Sequence, residues 1–72
     1  MPARLRAILR AAKKLAGVTS SPGGKHFKLE RDGFGCYPIP AHKGEKTEVP
    51  DVYIRAMCNH FGIDEAELRA LL

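Results

Sequence analysis

The 72-residue sequence has few cysteines, no long apolar run and no acidic residue among its first 28 positions. Two cysteines, Cys36 and Cys58, are too few for the disulfide framework of a small secreted protein, so we expect both thiols to be reduced. No apolar stretch approaches the length of a membrane span, and the basic N-terminal segment lacks a cleavable signal. These absences predict no membrane association and a cytoplasmic location.

Metal ligands are also scarce. A zinc site from Cys36, His42, Cys58 and His60 would need ligands from three separate segments, and the spacing of Cys58 and His60 matches no standard ligand pattern. We therefore predict no metal and no other cofactor.

With 44% hydrophobic and 28% charged residues, the chain has the composition of a folded protein. Its length predicts one domain, residues 1–72, with one small core.

The basic residues are unevenly distributed. Residues 1–28 carry seven lysines and arginines and no acid, whereas residues 29–72 carry five bases and eight acids. A surface of this sign attracts polyanions and suits binding to nucleic acid through phosphates, although solubility alone also explains such a run.

The first element is predicted to be an amphipathic helix over residues 2–16, ended by Gly17. One face carries apolar residues at helical spacing, namely Leu5, Ile8, Leu9, Ala12, Leu15 and Ala16. The opposite face aligns Arg6, Arg10 and Lys13 and offers these cations to solvent or to RNA.

Two strands are predicted next, after a short extended piece at residues 18–20. Residues 25–31 alternate so that His26 and Lys28 face solvent while Phe27 and Leu29 face the core. After a turn at Asp32 and Gly33, residues 34–41 form a second strand. Tyr37, Ile39 and Ala41 share its inner face, and Cys36 is expected to be a small filler residue. Pro38 and Pro40 lack amide hydrogens on one side, so we expect an edge strand.

A charged loop, residues 42–48, leads to a helix begun by Pro50 and Asp51 and ended by Gly62. Asp64 and Glu67 have the spacing of a capping box for a final helical turn. The expected apolar positions of the longer helix are Val52, Tyr53, Ile54, Met57 and Phe61, with Cys58 as core filling, and those of the last turn are Leu68, Leu71 and Leu72.

The candidate site lies in the segment Gly23-Gly24-Lys25-His26-Phe27-Lys28-Leu29. Histidine titrates near neutrality and can accept and return a proton, while lysines stabilise charge developing on a phosphate and glycines allow close approach of backbone amides. These residue types together indicate nuclease chemistry centred on His26. An ordinary turn followed by a half-buried strand, with His26 on its solvent face, explains the same residues.

This segment, the run Tyr37-Pro38-Ile39-Pro40-Ala41-His42 and a helix closing on Phe61-Gly62-Ile63 together resemble the HicA family of toxin endoribonucleases. The resemblance implies an α+β fold of order α-β-β-β-α, similar to a double-stranded RNA-binding domain, with an antiparallel sheet and two helices packed on one face. It also implies a catalytic His26, cleavage of messenger RNA without a metal, and a HicB-like antitoxin that blocks the site. His42 maps onto a second family motif as a lesser candidate.

The mechanism expected on this basis has His26 as general base for a ribose 2′-hydroxyl, which attacks the adjacent phosphate. The acid for the departing 5′-oxygen is protonated His26, His42 or water. The full set of expected RNA-binding residues is Gly24, Lys25, Lys28, Arg6, Arg10, Lys13, His42 and Lys43. Two other functions fit the sequence: a non-catalytic RNA-binding module, and a degenerate toxin that only binds an antitoxin.

Overall fold

A computed structural model describes residues 2–23 and 25–72, so the expected RNA contact Gly24 lies outside the described residues. In chain order the elements are β1 (Ala3–Arg4), α1 (Leu5–Ala16), β2 (Thr19–Gly23), β3 (His26–Arg31), β4 (Gly35–Pro40), a 3-10 turn (Gly44–Lys46), β5 (Glu48–Val49), α2 (Asp51–Phe61) and α3 (Glu65–Ala70).

Helix α1 begins three residues later than predicted. Ala3 and Arg4 are extended and pair antiparallel with Val49 and Glu48, which forms a small two-stranded sheet that the sequence did not predict. The helix ends where expected, because Gly17 adopts the left-handed conformation at φ 67° and its N–H donates to the carbonyl oxygen of Lys13 at 2.9 Å.

The larger sheet is antiparallel with strand order β2-β3-β4. Leu29 of β3 and Ile39 of β4 are fully buried on one face of this sheet. Both longer helices cover that face, and their fully buried side chains, Leu5, Ile8, Ala12, Ile54, Met57 and Phe61, join the two strand residues in one core cluster. The expected α+β architecture, with an antiparallel sheet and helices packed on one of its faces, is confirmed.

Strand β4 lies at an edge of the sheet, as the prolines predicted. The N–H of Ala41 donates to the carbonyl oxygen of Lys25 at 2.7 Å, so the amide of Ala41 points toward β3. Successive amides of a strand alternate between its two sides, and the positions of Pro38 and Pro40 therefore face the open edge. That edge lacks donors at both positions.

Several expectations about side-chain burial were wrong. Leu15, expected on the apolar face of α1, is 38% exposed. Val52 is 67% exposed and Tyr53 is 38% exposed, because Ile54, Met57 and Phe61 define the buried side of α2 and Val52 lies on the opposite side. Cys36 is exposed rather than filling the core, since it alternates with the inward-facing Tyr37.

Helix α3 starts at the predicted cap, where the Asp64 carboxylate accepts a hydrogen bond from the N–H of Ala66 at 2.8 Å. Leu68 is buried as expected, but Leu71 and Leu72 lie beyond the end of the helix and are about two-fifths exposed, at 41% and 42%. Among the described residues, no helix is long and apolar enough to cross a membrane.

Candidate functional site

His26 is the first residue of β3 and is exposed on the sheet face opposite the helices. Its cross-strand neighbours are Gly23 on β2 and Pro40 on β4. Directly opposed residues project to the same face of a sheet, and neither neighbour has a long side chain that would cover the imidazole. The ring is therefore open to a ligand approaching this uncovered face.

Lys28 lies two residues along β3, on the same face and also exposed, between Ser21 and Pro38. Strand geometry separates its Cα from that of His26 by about 6.6 Å. The alternation predicted from the sequence thus brings the imidazole and an ammonium group side by side. Glu30 follows on this face, opposite Cys36, and ends the basic character of the row.

The backbone brings Lys25 next to the end of β4. The hydrogen bond from the N–H of Ala41 to the carbonyl of Lys25 joins the residue before His26 to the residue before His42. His42 and Lys43 form the turn that follows, and both are exposed. The structure therefore places the turn of His42 and Lys43 beside the start of β3.

The basic face of α1 lies apart from the site around His26. Arg6, Arg10 and Lys13 line an open cleft of about 630 Å³, and the other residues of its wall are Leu9, Val18, Thr19, Ser20 and Glu45. Thr19 pairs with Glu30, whereas Gly23 pairs with His26, so the cleft meets β2 at the end distant from His26. Four residues of strand span about 13 Å. These three cations form a separate basic surface from the site around His26.

A second open cleft, of about 500 Å³, contains two cations that sequence reasoning missed. Arg4 and Lys46 line it together with His42, Lys43, Thr47 and Glu48. Arg4 belongs to β1 and Lys46 to the 3-10 turn, and their proximity depends on the pairing of β1 with β5. Two-residue strands carry no periodicity, so no pattern in the sequence indicated this cluster.

Within residues 2–23 and 25–72, His26 has no hydrogen bond, ion pair or ring contact with another side chain. Over the same residues, no group of three histidine, cysteine or carboxylate side chains is arranged to hold a metal ion.

The two thiols differ in their exposure to solvent, because Cys58 is buried while Cys36 is exposed. Burial raises the pKa of the Cys58 thiol.

Comparisons of the chain with protein-family models, with curated proteins and with solved structures find no match. The resemblance to HicA toxins, and with it the likeness to a double-stranded RNA-binding domain, stays a prediction from the sequence motifs.

Proposed function

We propose that this protein is a toxin endoribonuclease of the HicA type, which cleaves messenger RNA without a metal and uses His26 as its catalytic residue. One observation carries the proposal: His26 and Lys28 lie side by side on the uncovered face of the sheet. Lys25 and the turn of His42 and Lys43 adjoin the same end of β3. A proton acceptor within a group of cations is what in-line attack on a phosphodiester requires.

In the proposed reaction the neutral imidazole of His26 takes the proton of a ribose 2′-hydroxyl. The 2′-oxygen forms a bond to the adjacent phosphorus, and the bond from phosphorus to the 5′-oxygen breaks. The departing 5′-oxygen receives its proton from protonated His26, from His42 or from water. The products are a 2′,3′-cyclic phosphate and a 5′-hydroxyl, and Lys25 and Lys28 stabilise the negative charge on the phosphorus oxygens in the transition state.

The proposed partners are the RNA substrate and a HicB-like antitoxin that covers the face bearing His26. Strand addition at the edges of the sheet is disfavoured on both sides, because Pro22 lies in β2 and Pro38 and Pro40 lie in β4. We therefore expect the antitoxin to bind through side chains over the open face.

A second candidate is a non-catalytic RNA-binding module. It is favoured by the isolation of His26, since among the described residues no side chain orients its ring as a general base is commonly oriented. The same exposed cations would then contact phosphates and 2′-hydroxyls without bond cleavage.

The experiment that separates the two is incubation of the purified protein in EDTA with a messenger RNA and with single-stranded DNA of the same sequence. The proposal predicts RNA fragments ending in a cyclic phosphate and intact DNA, because only RNA supplies the 2′-hydroxyl. RNA that is bound yet remains whole supports the binding module. Cleaved DNA, or cleavage abolished by the chelator, contradicts the mechanism.

A further inference from the structure

We propose that the cleft lined by Arg4, His42, Lys43 and Lys46 is a second phosphate-binding site, which holds the RNA backbone next to the phosphodiester at His26. This inference rests on the proposed function and names two further RNA-binding residues, Arg4 and Lys46. Arg4, Lys43 and Lys46 line this cleft of about 500 Å³ together with one carboxylate, Glu48. All four basic residues of the cleft are exposed.

The cations of this cleft are free to bind a ligand. Over residues 2–23 and 25–72, the ion pairs of the structure involve Arg55 and Arg69, and none joins Arg4, Lys43 or Lys46 to a carboxylate. A phosphate entering the cleft would therefore gain contacts without breaking an existing salt bridge. Unpaired cations gathered in one concave surface release counterions when they bind a polyanion.

The loop that carries Lys43 and Lys46 is held in place by its own hydrogen bonds. The N–H of Lys43 donates to the hydroxyl of Thr47 at 2.8 Å, and the N–H of Thr47 donates to the carbonyl of Gly44 at 3.1 Å. The carbonyl of Thr47 in turn accepts from the N–H of Leu5 at 2.8 Å, which fixes the loop to the start of α1 beside Arg4. The cleft is thus formed before a ligand arrives, which lowers the entropic cost of binding.

Its position suits one continuous RNA strand. Pro40 is opposite His26, and His42 follows Pro40 by two residues. A directly opposed pair has Cα atoms about 5 Å apart and each further residue adds at most 3.8 Å, so the Cα atoms of His26 and His42 are within about 13 Å. A few nucleotides of backbone cover this distance. The cleft of Arg6, Arg10 and Lys13 extends from the 3-10 turn at Glu45 to the end of β2 that is distant from His26.

The test measures binding separately from cleavage. All proteins carry His26→Ala, and the binding of a fluorescently labelled single-stranded RNA is followed by anisotropy in EDTA over a range of salt concentrations. Each phosphate contact to a single strand contributes about 0.7 to the slope of log K against log salt, equivalent to about fivefold in affinity between 1 M and 0.1 M salt. We expect Arg4→Ala with Lys46→Ala to weaken binding about 25-fold at 0.1 M salt and to lower the slope by about 1.4.

Lys14→Ala is the control for the loss of one surface charge, because Lys14 is an exposed cation of α1 that lines neither cleft. It removes one charge and should change the affinity less than twofold. Lys46→Arg should retain the affinity lost in Lys46→Ala, and circular dichroism verifies that each variant is folded. A double variant that binds as tightly as Lys14→Ala overturns the inference, and a parent that binds no RNA overturns it together with the proposed function. The proposed function alone fails if the protein with His26 intact cuts no RNA while the double variant still shows the expected loss of binding.

Discussion

Replacing Gly62 with alanine should destabilise the fold more than replacing Gly17, although both residues end a helix in the left-handed conformation. Their φ angles are nearly equal, at 65° and 67°. The surroundings differ. A Cβ at Gly17 would have no heavy atom within 4 Å, whereas a Cβ at Gly62 would lie 3.1 Å from Cε2 of Phe34.

The expected loss in the free energy of unfolding has two contributions. A residue with a Cβ in the left-handed region costs about 1 kcal/mol, and this cost is common to both sites. At Gly62 the methyl group must also displace the Phe34 ring, over which the Arg31 guanidinium lies at 4.3 Å from the ring centroid. An exposed cation–π contact is worth about 0.5–1 kcal/mol. We therefore expect Gly17→Ala to cost about 1 kcal/mol and Gly62→Ala about 1.5–2 kcal/mol.

Urea unfolding followed by circular dichroism measures both values, and the variants should share the slope of the wild type. In a Phe34→Ala background the steric contribution disappears, so Gly62→Ala should then cost no more than Gly17→Ala. Equal costs in the wild-type background would show that Phe34 moves aside freely, and the reasoning about the fixed ring would be refuted.

Three further outcomes are expected. Leu29→Ala, at a fully buried position, should lower the free energy of unfolding by about 2–5 kcal/mol in a urea titration, and a loss below 1 kcal/mol would contradict the central place of Leu29 in the core. Hydrogen bonding from Arg69 lowers the pKa of Glu65, so its contribution to stability is complete above the ordinary value of 4.5 and is lost as the pH falls through the lowered pKa; Glu65→Gln should reduce this acid-side loss in thermal unfolding scans, and an unchanged profile would argue against it. A thiol reagent should modify Cys36 rapidly in the native protein and Cys58 only after unfolding, and early double labelling would contradict the burial of Cys58.

Local pattern was sufficient for the elements whose side chains repeat with a clear period. The apolar spacing of α1, the alternation of β3 and the capping Asp64 all led to the observed elements. Pairing across the chain could not be predicted in the same way. The pairing of Ala3 with Val49 depends on how α1 and α2 pack, and neither short strand has a periodic pattern.

The same distinction between local pattern and tertiary packing applies to the residues of the candidate site. Alternation within one strand was enough to place His26 beside Lys28 on an exposed face. The separation of Arg6 and Arg10 from that face depends on where α1 lies across the sheet, which helical periodicity does not determine. The predicted burial of Val52 was wrong for a related reason. An apolar residue at the start of a helix is buried only if that side of the helix faces the core.

The most direct test of the central claim is the rate of RNA cleavage by wild type, His26→Ala and His60→Ala in EDTA. His60 is a matched control because it is an exposed histidine of α2, whose ring lies 5.3 Å from that of Tyr37 rather than on the open sheet face. Loss of a general base reduces the rate by about 100- to 10,000-fold. We predict that wild type and His60→Ala cleave at similar rates, whereas the rate of His26→Ala falls by at least about 100-fold. Cleavage by His26→Ala at the wild-type rate would contradict the role of His26 as the catalytic base.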